Sequence, residues 1–251
     1  MLILLPPSES KRVGGPRRSR LDLDALRFPE LAEPRRATAE ALRAVSADPD
    51  SERAAKALGI PPTLVAELTT NVGLFDSPVL PAIDRYTGVL YDALDAATLP
   101  PESRRQLGRT LVIHSAAFGP VGALDRIPDY RMSATSRLPG IRLRALWADA
   151  TSSTLAEVPG PVVDLRSEGY AALGPVRGRS DSVFVRVVTE GSDGVQRALN
   201  HFNKHAKGEL VRRFALDRPR IRSVRGFMEW SAAAGFRTEY AANHEVRLVT
   251  N

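Results

Sequence analysis

The sequence predicts an α/β fold of the mixed α+β type. It reads as a single compact domain over residues 1–251, with a mixed sheet flanked by helices and a helix-hairpin-helix-like element at about 51–70. Short apolar runs bounded by turn residues, of which Met1–Leu5, Thr110–Ser115 and Ser182–Thr189 are the clearest, have the length of buried strands. Between them lie stretches with helical patterning, and strands alternating with helices indicate a sheet covered by helices. A chain of 251 residues that is 43% hydrophobic can bury a sizeable core, and no repeat or linker forces a domain boundary.

Met1-Leu2-Ile3-Leu4-Leu5 reads as a buried first strand stopped by Pro6-Pro7. The stretch that follows, through Ser8 and Lys11 to Arg20, is rich in turn residues without apolar periodicity and reads as a loop. Helices are expected at about Glu33 to Ala47 and Ser51 to Leu58, where Ala-rich composition favours helix and Asp50-Ser51 offers a cap. Leu58-Gly59-Ile60 breaks the pattern, and Pro61-Pro62 opens a further helix through about Thr69, because proline is tolerated in a first turn. Ala82 to Leu94 can be helical around Tyr86-Thr87-Gly88, and Thr110 to Ser115 is a strand that ends in a turn through Pro120. Ile141 to Leu143 is a short strand or the lead into a helix from about Ala145 to Ala156. Pro161 to Leu165 and Ser182 to Thr189 read as strands, and Gly194 to Phe214 as a long helix. A helix from about Val224 to Ala234 and a strand from Glu245 to Val249 close the chain.

Of 35 Lys+Arg only four are lysine, and three of those, Lys11, Lys204 and Lys207, stand in the densest polar motifs. Lysine can lose its proton and arginine cannot, so an amine kept in an arginine-rich chain points to a site. A net charge of +6 favours acidic partners, either phosphates or nucleic acid, although coding bias also enriches arginine. The absence of cysteine excludes disulfides, thiolate metal sites, iron–sulfur clusters and a cysteine nucleophile. The apolar start is too short for a signal peptide or a membrane span, so a cytoplasmic protein with no membrane partner is expected.

The most readable segment is Asn203 to Arg212. Lys204, Gly208 and Arg212 recur at four-residue spacing as one helical stripe, with Lys207 a turn from Lys204. A glycine between two cations leaves room for close approach by a ligand or by another backbone, and a solvated basic face has the same spacing. His201 and His205 also stand four apart, but without a nearby carboxylate pattern they read as structural, so no metal site is assigned. Arg166-Ser167-Glu168-Gly169-Tyr170 follows a strand, where a loop can present a hydroxyl, a carboxylate and a phenol together. Ser8 and Lys11 follow another strand and can add a nucleophile or a phosphate contact. Leu58-Gly59-Ile60 has the form of a helix-hairpin-helix, whose amides can hold a DNA phosphate, and equally that of an ordinary αα-turn with glycine as C-cap.

Read in order, these segments resemble the YaaA family of peroxide stress proteins over nearly the full length. The resemblance rests on the Met1-Leu2-Ile3-Leu4 start leading into Pro7-Ser8 and Lys11, Tyr86-Thr87-Gly88, the Ser115 to Pro120 turn and Tyr130-Arg131. Trp147 with Asp149, Ser167-Glu168-Gly169-Tyr170, and Lys204 with Ala206-Lys207-Gly208 and Arg212 complete it. The better-known enterobacterial members have a shorter first loop with Pro-Ala-Lys, and carry Arg where Lys207 stands. The resemblance implies a cytosolic protein that limits hydrogen peroxide damage by keeping reactive iron low, in a mixed α/β fold that binds duplex DNA through an element near Gly59.

Two functions follow. One is a DNA-binding stress protein. The other is an enzyme acting on an anionic, nucleotide-like small molecule in a cleft. In the second, Lys11, Glu168, Tyr170 and Lys204 carry the chemistry, and Ser8, Tyr86, Arg131, Ser167, Lys207, Gly208 and Arg212 bind. The cofactor is unknown.

Overall fold

The computed structural model describes residues 1–190, 196–197, 200–241 and 244–250. The chain opens with β1 (Leu2–Leu5), then a long loop and a 3-10 turn that leads into α1 (Ala32–Ser46). α2 (Ser51–Leu58) follows, capped by Asp50, whose side chain accepts from the Arg53 amide. A second 3-10 segment, Pro62–Glu67, runs into α3 (Leu68–Val72), so the helix expected after Pro61-Pro62 begins as a tighter turn. Next come β2 (Val79–Pro81), α4 (Ala82–Arg85), α5 (Val89–Leu94), α6 (Pro101–Thr110), β3 (Leu111–Ser115), β4 (Gly119–Gly122) and β5 (Arg126–Pro128). The second half holds α7 (Leu143–Ala156), β6 (Val162–Asp164), α8 (Glu168–Ala172), β7 (Ser182–Glu190), β8 (Gln196–Arg197), α9 (Asn200–Asp217), α10 (Val224–Ala233), β9 (Arg237–Ala241) and β10 (Glu245–Thr250).

Among the described residues the main sheet has eight strands, in the order β4-β3-β1-β6-β7-β10-β9 with β8 beside β7. β3, β1, β6, β7 and β10 are mutually parallel, and β4, β8 and β9 are antiparallel additions. Parallel strands are covered on both faces, and β1 shows this directly. Ile3 and Leu5 enter the main core, whereas Leu2 and Leu4 pack with Val112, Leu155 and Val162 on the opposite face. β2 and β5 form a separate small sheet.

The expected Gly194 to Phe214 helix is shorter than its pattern suggested. Gln196–Arg197 is a strand and the helix starts at Asn200, while 191–195 and 198–199 lie outside the described residues. The Ala82 to Leu94 helix is two helices, α4 and α5. They part at Tyr86-Thr87-Gly88, where Lys11 and Tyr86 form a β-bridge and the Thr87 amide donates to Ser10. β2, α6, β4, β5 and β9 are additions that the sequence did not announce, and the loop expected through Arg166 to Tyr170 turns into the short helix α8 at Glu168.

α9 lies against α5 closely enough that a Cβ on Gly208 would stand 2.2 Å from the Leu90 carbonyl oxygen and 2.7 Å from Ala93 Cβ. Gly208 therefore belongs to a helix crossing. Gly208→Ala should destabilise the protein, because overpacking of about 1–3 kcal/mol exceeds the ~1 kcal/mol that Ala gains over Gly inside a helix. A thermal melt of the variant checks this, and an unchanged or raised melting temperature would show that the crossing yields.

Candidate functional site

The chain leaves β1 toward β3 on one side of the sheet and leaves β6 toward β7 on the other. Between two strands whose connections part in this way, the loops at the carboxyl ends open a crevice. A cleft of about 750 Å³ lies there. It is lined by Pro6 to Ser10 after β1, by Arg166 to Tyr170 after β6, by Thr87 to Tyr91 at the start of α5, by Phe184 to Val187 of β7, and by Asn203, Lys204 and Lys207 of α9.

Carboxylates in and around the cleft are matched by arginines. Asp164 takes two hydrogen bonds from Arg166, at 2.8 Å from Nε and 2.6 Å from Nη2, with Arg166 wholly buried. Glu168 accepts from Arg186 at 2.9 Å, and Arg186 also holds Glu245 at 3.0 Å. Glu9 stands 3.9 Å from Arg131, which in turn reaches Glu67 at 3.3 Å. Lys204 and Lys207 have neither a hydrogen bond nor an ion pair with any described residue. Lys204 is exposed and Lys207 half-buried. Burial pulls the Lys207 amine down to about 8, with the Arg186 cation adding to the effect and Asp164 opposing it. In the same lining the Asn203 Oδ1 is buried without a donor.

Behind the cleft sits a polar cluster. Ser115 Oγ accepts from the amides of Ala117 and Phe118, each at 3.1 Å, so both of its lone pairs are taken. Its proton must therefore go to Tyr130, 2.8 Å away, and the Tyr130 proton to Tyr86, also 2.8 Å away. Tyr86 ends the chain as a donor. Lys11 Nζ lies 4.2 Å over the Tyr130 ring and donates to the Glu9 carbonyl. Burial lowers this amine to about 8, partly offset by Glu9 and Asp129. Burial raises Tyr170, which also borders the cleft, with Glu9 acting in the same direction. Its ring faces His114, whose Nδ1 accepts from Arg166 at 2.6 Å. The proton of neutral His114 is then on Nε2, which has no partner, and burial with the neighbouring Arg166 holds the ring neutral.

The structure thus brings Ser8, Ser167, Glu168, Tyr170, Lys204 and Lys207 to one cleft. Lys11 and Tyr86 stand behind it. Arg131 steadies the first loop through the Glu9 carbonyl at 3.1 Å. Of the two alternatives at Gly208, ligand or backbone, the structure has the backbone, since Gly208 faces Leu90 and Ala93. Arg212, expected among the binding residues, donates to the carbonyls of Leu94 and Asp95 and to Thr98, so it fastens the end of α5 and is not among the residues that line the cleft. Gly59 is a left-handed C-cap of α2 at φ 70°, exposed, with Leu58 and Ile60 buried beside it. The amides of Gly59 and Ile60 bond back to Lys56 and Ala55, and Pro61 and Pro62 have none, so residues 59–62 offer no free amide to a phosphate. His205 pairs with Glu209 at 3.3 Å, and the His201 side chain lies outside the described residues. No cluster of metal-ligating side chains occurs among the described residues.

Sequence reasoning missed Asp164, Arg186, Asn203, His114 and the role of Tyr130. A signal existed for two of them. Arg186 interrupts Val183-Phe184-Val185-Arg186-Val187-Val188, and His114 interrupts Leu111-Val112-Ile113-His114. A lone polar residue in a buried run needs a partner.

The family model described as peroxide stress protein YaaA matches residues 1–242. A UPF0246 protein of Corynebacterium glutamicum is 42% identical over 253 residues, covering 99% of this chain and 98% of its own length. One from Corynebacterium efficiens is 44% identical over 217 residues, 84% of each chain. Another, from Streptomyces coelicolor, is 39% identical over 217 residues, 84% of this chain and 82% of its own.

The Lys11 amine, at about 8 when folded against an ordinary 10.5, holds fewer protons folded than unfolded between those values. Stability must therefore rise with pH through this window and fall as pH drops through 8. From pH 7 to 9.5 the gain should be on the order of 1 kcal/mol for each lowered amine after allowance for solvent screening. Urea unfolding at both pH values checks this. Lys11→Met should remove its share of the rise, and an unaltered slope would mean that the amine is hydrated.

Proposed function

Because the chain belongs to the family of the peroxide stress protein YaaA, we propose that its cleft holds a small anionic ligand of nucleotide size. We propose further that the protein limits hydrogen peroxide and iron damage in the cytoplasm through that ligand. The observation that carries this reading is the pair of amines, Lys204 and Lys207, that have no hydrogen-bond or ion-pair partner among the described residues, in a cleft whose carboxylates Glu9 and Glu168 already face arginines. Two such positive charges on a concave, partly apolar surface attract an anion and hold it better than an open surface would. The hydroxyls of Ser8 and Ser167 offer further donors, and Glu168 and Tyr170 offer acid and base groups for an enzyme acting on the bound anion.

A second reading, duplex DNA, is favoured by the loop after Lys11, where Arg12, Arg17, Arg18 and Arg20 are all exposed. Such a surface neutralises phosphates, and its affinity falls steeply with salt.

Thermal-shift titration with AMP, ADP, inorganic phosphate and a short DNA duplex at low and high salt separates the two. A nucleotide should raise the melting temperature, and Lys204→Ala should weaken its binding by roughly tenfold to a hundredfold, the value of one charge-assisted hydrogen bond. Stabilisation by the duplex alone, abolished by salt and indifferent to Lys204→Ala, would overturn the cleft reading and support the second.

A further inference from the structure

The two amines of the cleft that lack a partner among the described residues differ in kind. Lys204 is exposed, as an ion clamp can be, whereas Lys207 is half-buried and shares the lining with Leu90, Val185 and Val187. We propose that Lys207 is a covalent catalytic residue, whose Nζ adds to the carbonyl carbon of an aldehyde or ketone carrying an anionic group and forms an imine in the cleft. The anionic group of this substrate rests on the cleft reading above, and the amine chemistry stands apart from it.

Four observations carry the inference. Lys207 has no hydrogen-bond or ion-pair partner among the described residues, so no contact must break before the nitrogen can attack. The nearby charged groups are paired elsewhere, Asp164 of β6 with Arg166 of the following turn and Glu168 of α8 with Arg186 of β7, so Asp164 favours the ammonium form only through its field and no carboxylate among the described residues bonds it. A lysine is made nucleophilic by desolvation beside a second cation, and both conditions act on Lys207 through its burial and through Arg186. With the amine near 8, roughly a quarter is neutral at pH 7.5, against on the order of one in a thousand for an ordinary lysine. Finally, Asn203 Oδ1, one turn earlier on α9, is a buried acceptor without a donor, suited to the hydroxyl of the addition intermediate.

The step balances without an oxidant or reductant. The nitrogen lone pair forms the C–N bond while the carbonyl π bond breaks onto oxygen. Both protons of the neutral amine leave with that oxygen as one water as the C=N bond closes. Glu168 Oε2, the oxygen not bonded to Arg186, is a carboxylate atom in the cleft lining that can relay them.

The full-length protein would be treated with glyceraldehyde 3-phosphate and cyanoborohydride at pH 7.5, and the reduced adducts located by peptide mass mapping. Lys207 should be modified on the order of tenfold faster than Lys204 or Lys56, which are more exposed. Lys207→Arg, with an unchanged melting temperature, should keep the cleft's charge and lose this adduct. Lys11 is lowered to the same extent but lies outside the cleft lining, so it serves as an internal control. Adducts spread over Lys56, Lys204 and the Met1 amine by exposure, or concentrated on Lys11, would overturn the proposal. Thermal stabilisation by the phosphorylated aldehyde without an adduct on Lys207 would overturn it too, while leaving the anion cleft intact. Equal labelling of Lys207 by uncharged glyceraldehyde would support the imine and count against the anion site.

Discussion

Arg85 has no exposed surface, and its guanidinium donates to the backbone carbonyls of Arg12, Gly14, Pro78 and Ile127. A buried guanidinium left without acceptors costs several kcal/mol, so these carbonyls are held in place by the need to satisfy it. Two belong to the loop after β1 and two to the small sheet and its approach. Fixing them lays residues 10–12 beside 85–87, where the Arg12 amide bonds to Arg85 and the Thr87 amide to Ser10. That pairing presents Lys11 to the tyrosines on one side and Ser8 to Ser10 to the cleft on the other. The rim of the site is thus a consequence of one buried cation.

The same device recurs. Arg35, also fully buried, donates to the carbonyls of Arg27, Phe28, Phe118 and Pro120, joining the approach to α1 to the edge strand β4. Arg179 gathers the carbonyls around the end of α7 and bonds Asp181. Arginine suits this work because its planar fork reaches several acceptors at once and stays charged when buried. Lysine has a single compact amine that yields its proton under burial, and three of the four lysines stand in or just behind the cleft. Part of this work is divided by chemistry: the guanidinium groups of Arg35, Arg85 and Arg179 fasten loops, while three of the four amines stand at or behind the cleft.

Much of this was legible in the sequence. The strands β1, β3, β6, β7 and β10 are short apolar runs, and such runs report burial directly. The lysine count led to the cleft, and the strand-end loops at Ser8 and Ser167 are where an α/β sheet must open. The role of Gly208 stayed open between ligand and backbone, and Arg212 was placed with the binding residues, because helical spacing gives the face a residue occupies and not what lies against it. That α5 covers the lower part of this face is a tertiary fact, since no periodicity in 203–212 encodes the Leu90 carbonyl. α9 was drawn too long because helix-compatible residues continue upstream of Asn200, whereas pairing with β7 takes Gln196–Arg197 as strand. The tyrosine chain could not be read at all, since Ser115, Tyr130 and Tyr86 meet only when β3 and α4 are both in place.

The two functional readings draw on cations of different exposure, and this decides how each responds to its surroundings. Arg12, Arg17, Arg18 and Arg20 hang in solvent from the loop that Arg85 anchors, where salt screens them over about 8–10 Å at ordinary ionic strength. Lys207 is half-buried among apolar side chains, where screening is weaker and the field of Arg186 persists. The two surfaces follow one another along the chain, since Ser10 is the last residue of this loop to line the cleft and Arg12 begins the arginine stretch. A long polyanion crossing the loop would therefore arrive at the mouth of the cleft, while a small anion would pass the arginines and stop at the lysines. If both readings hold, the loop would recruit and the cleft would select, and the choice between the two ligands would fall to the last few ångströms, where the amines and the walls of the cleft stand.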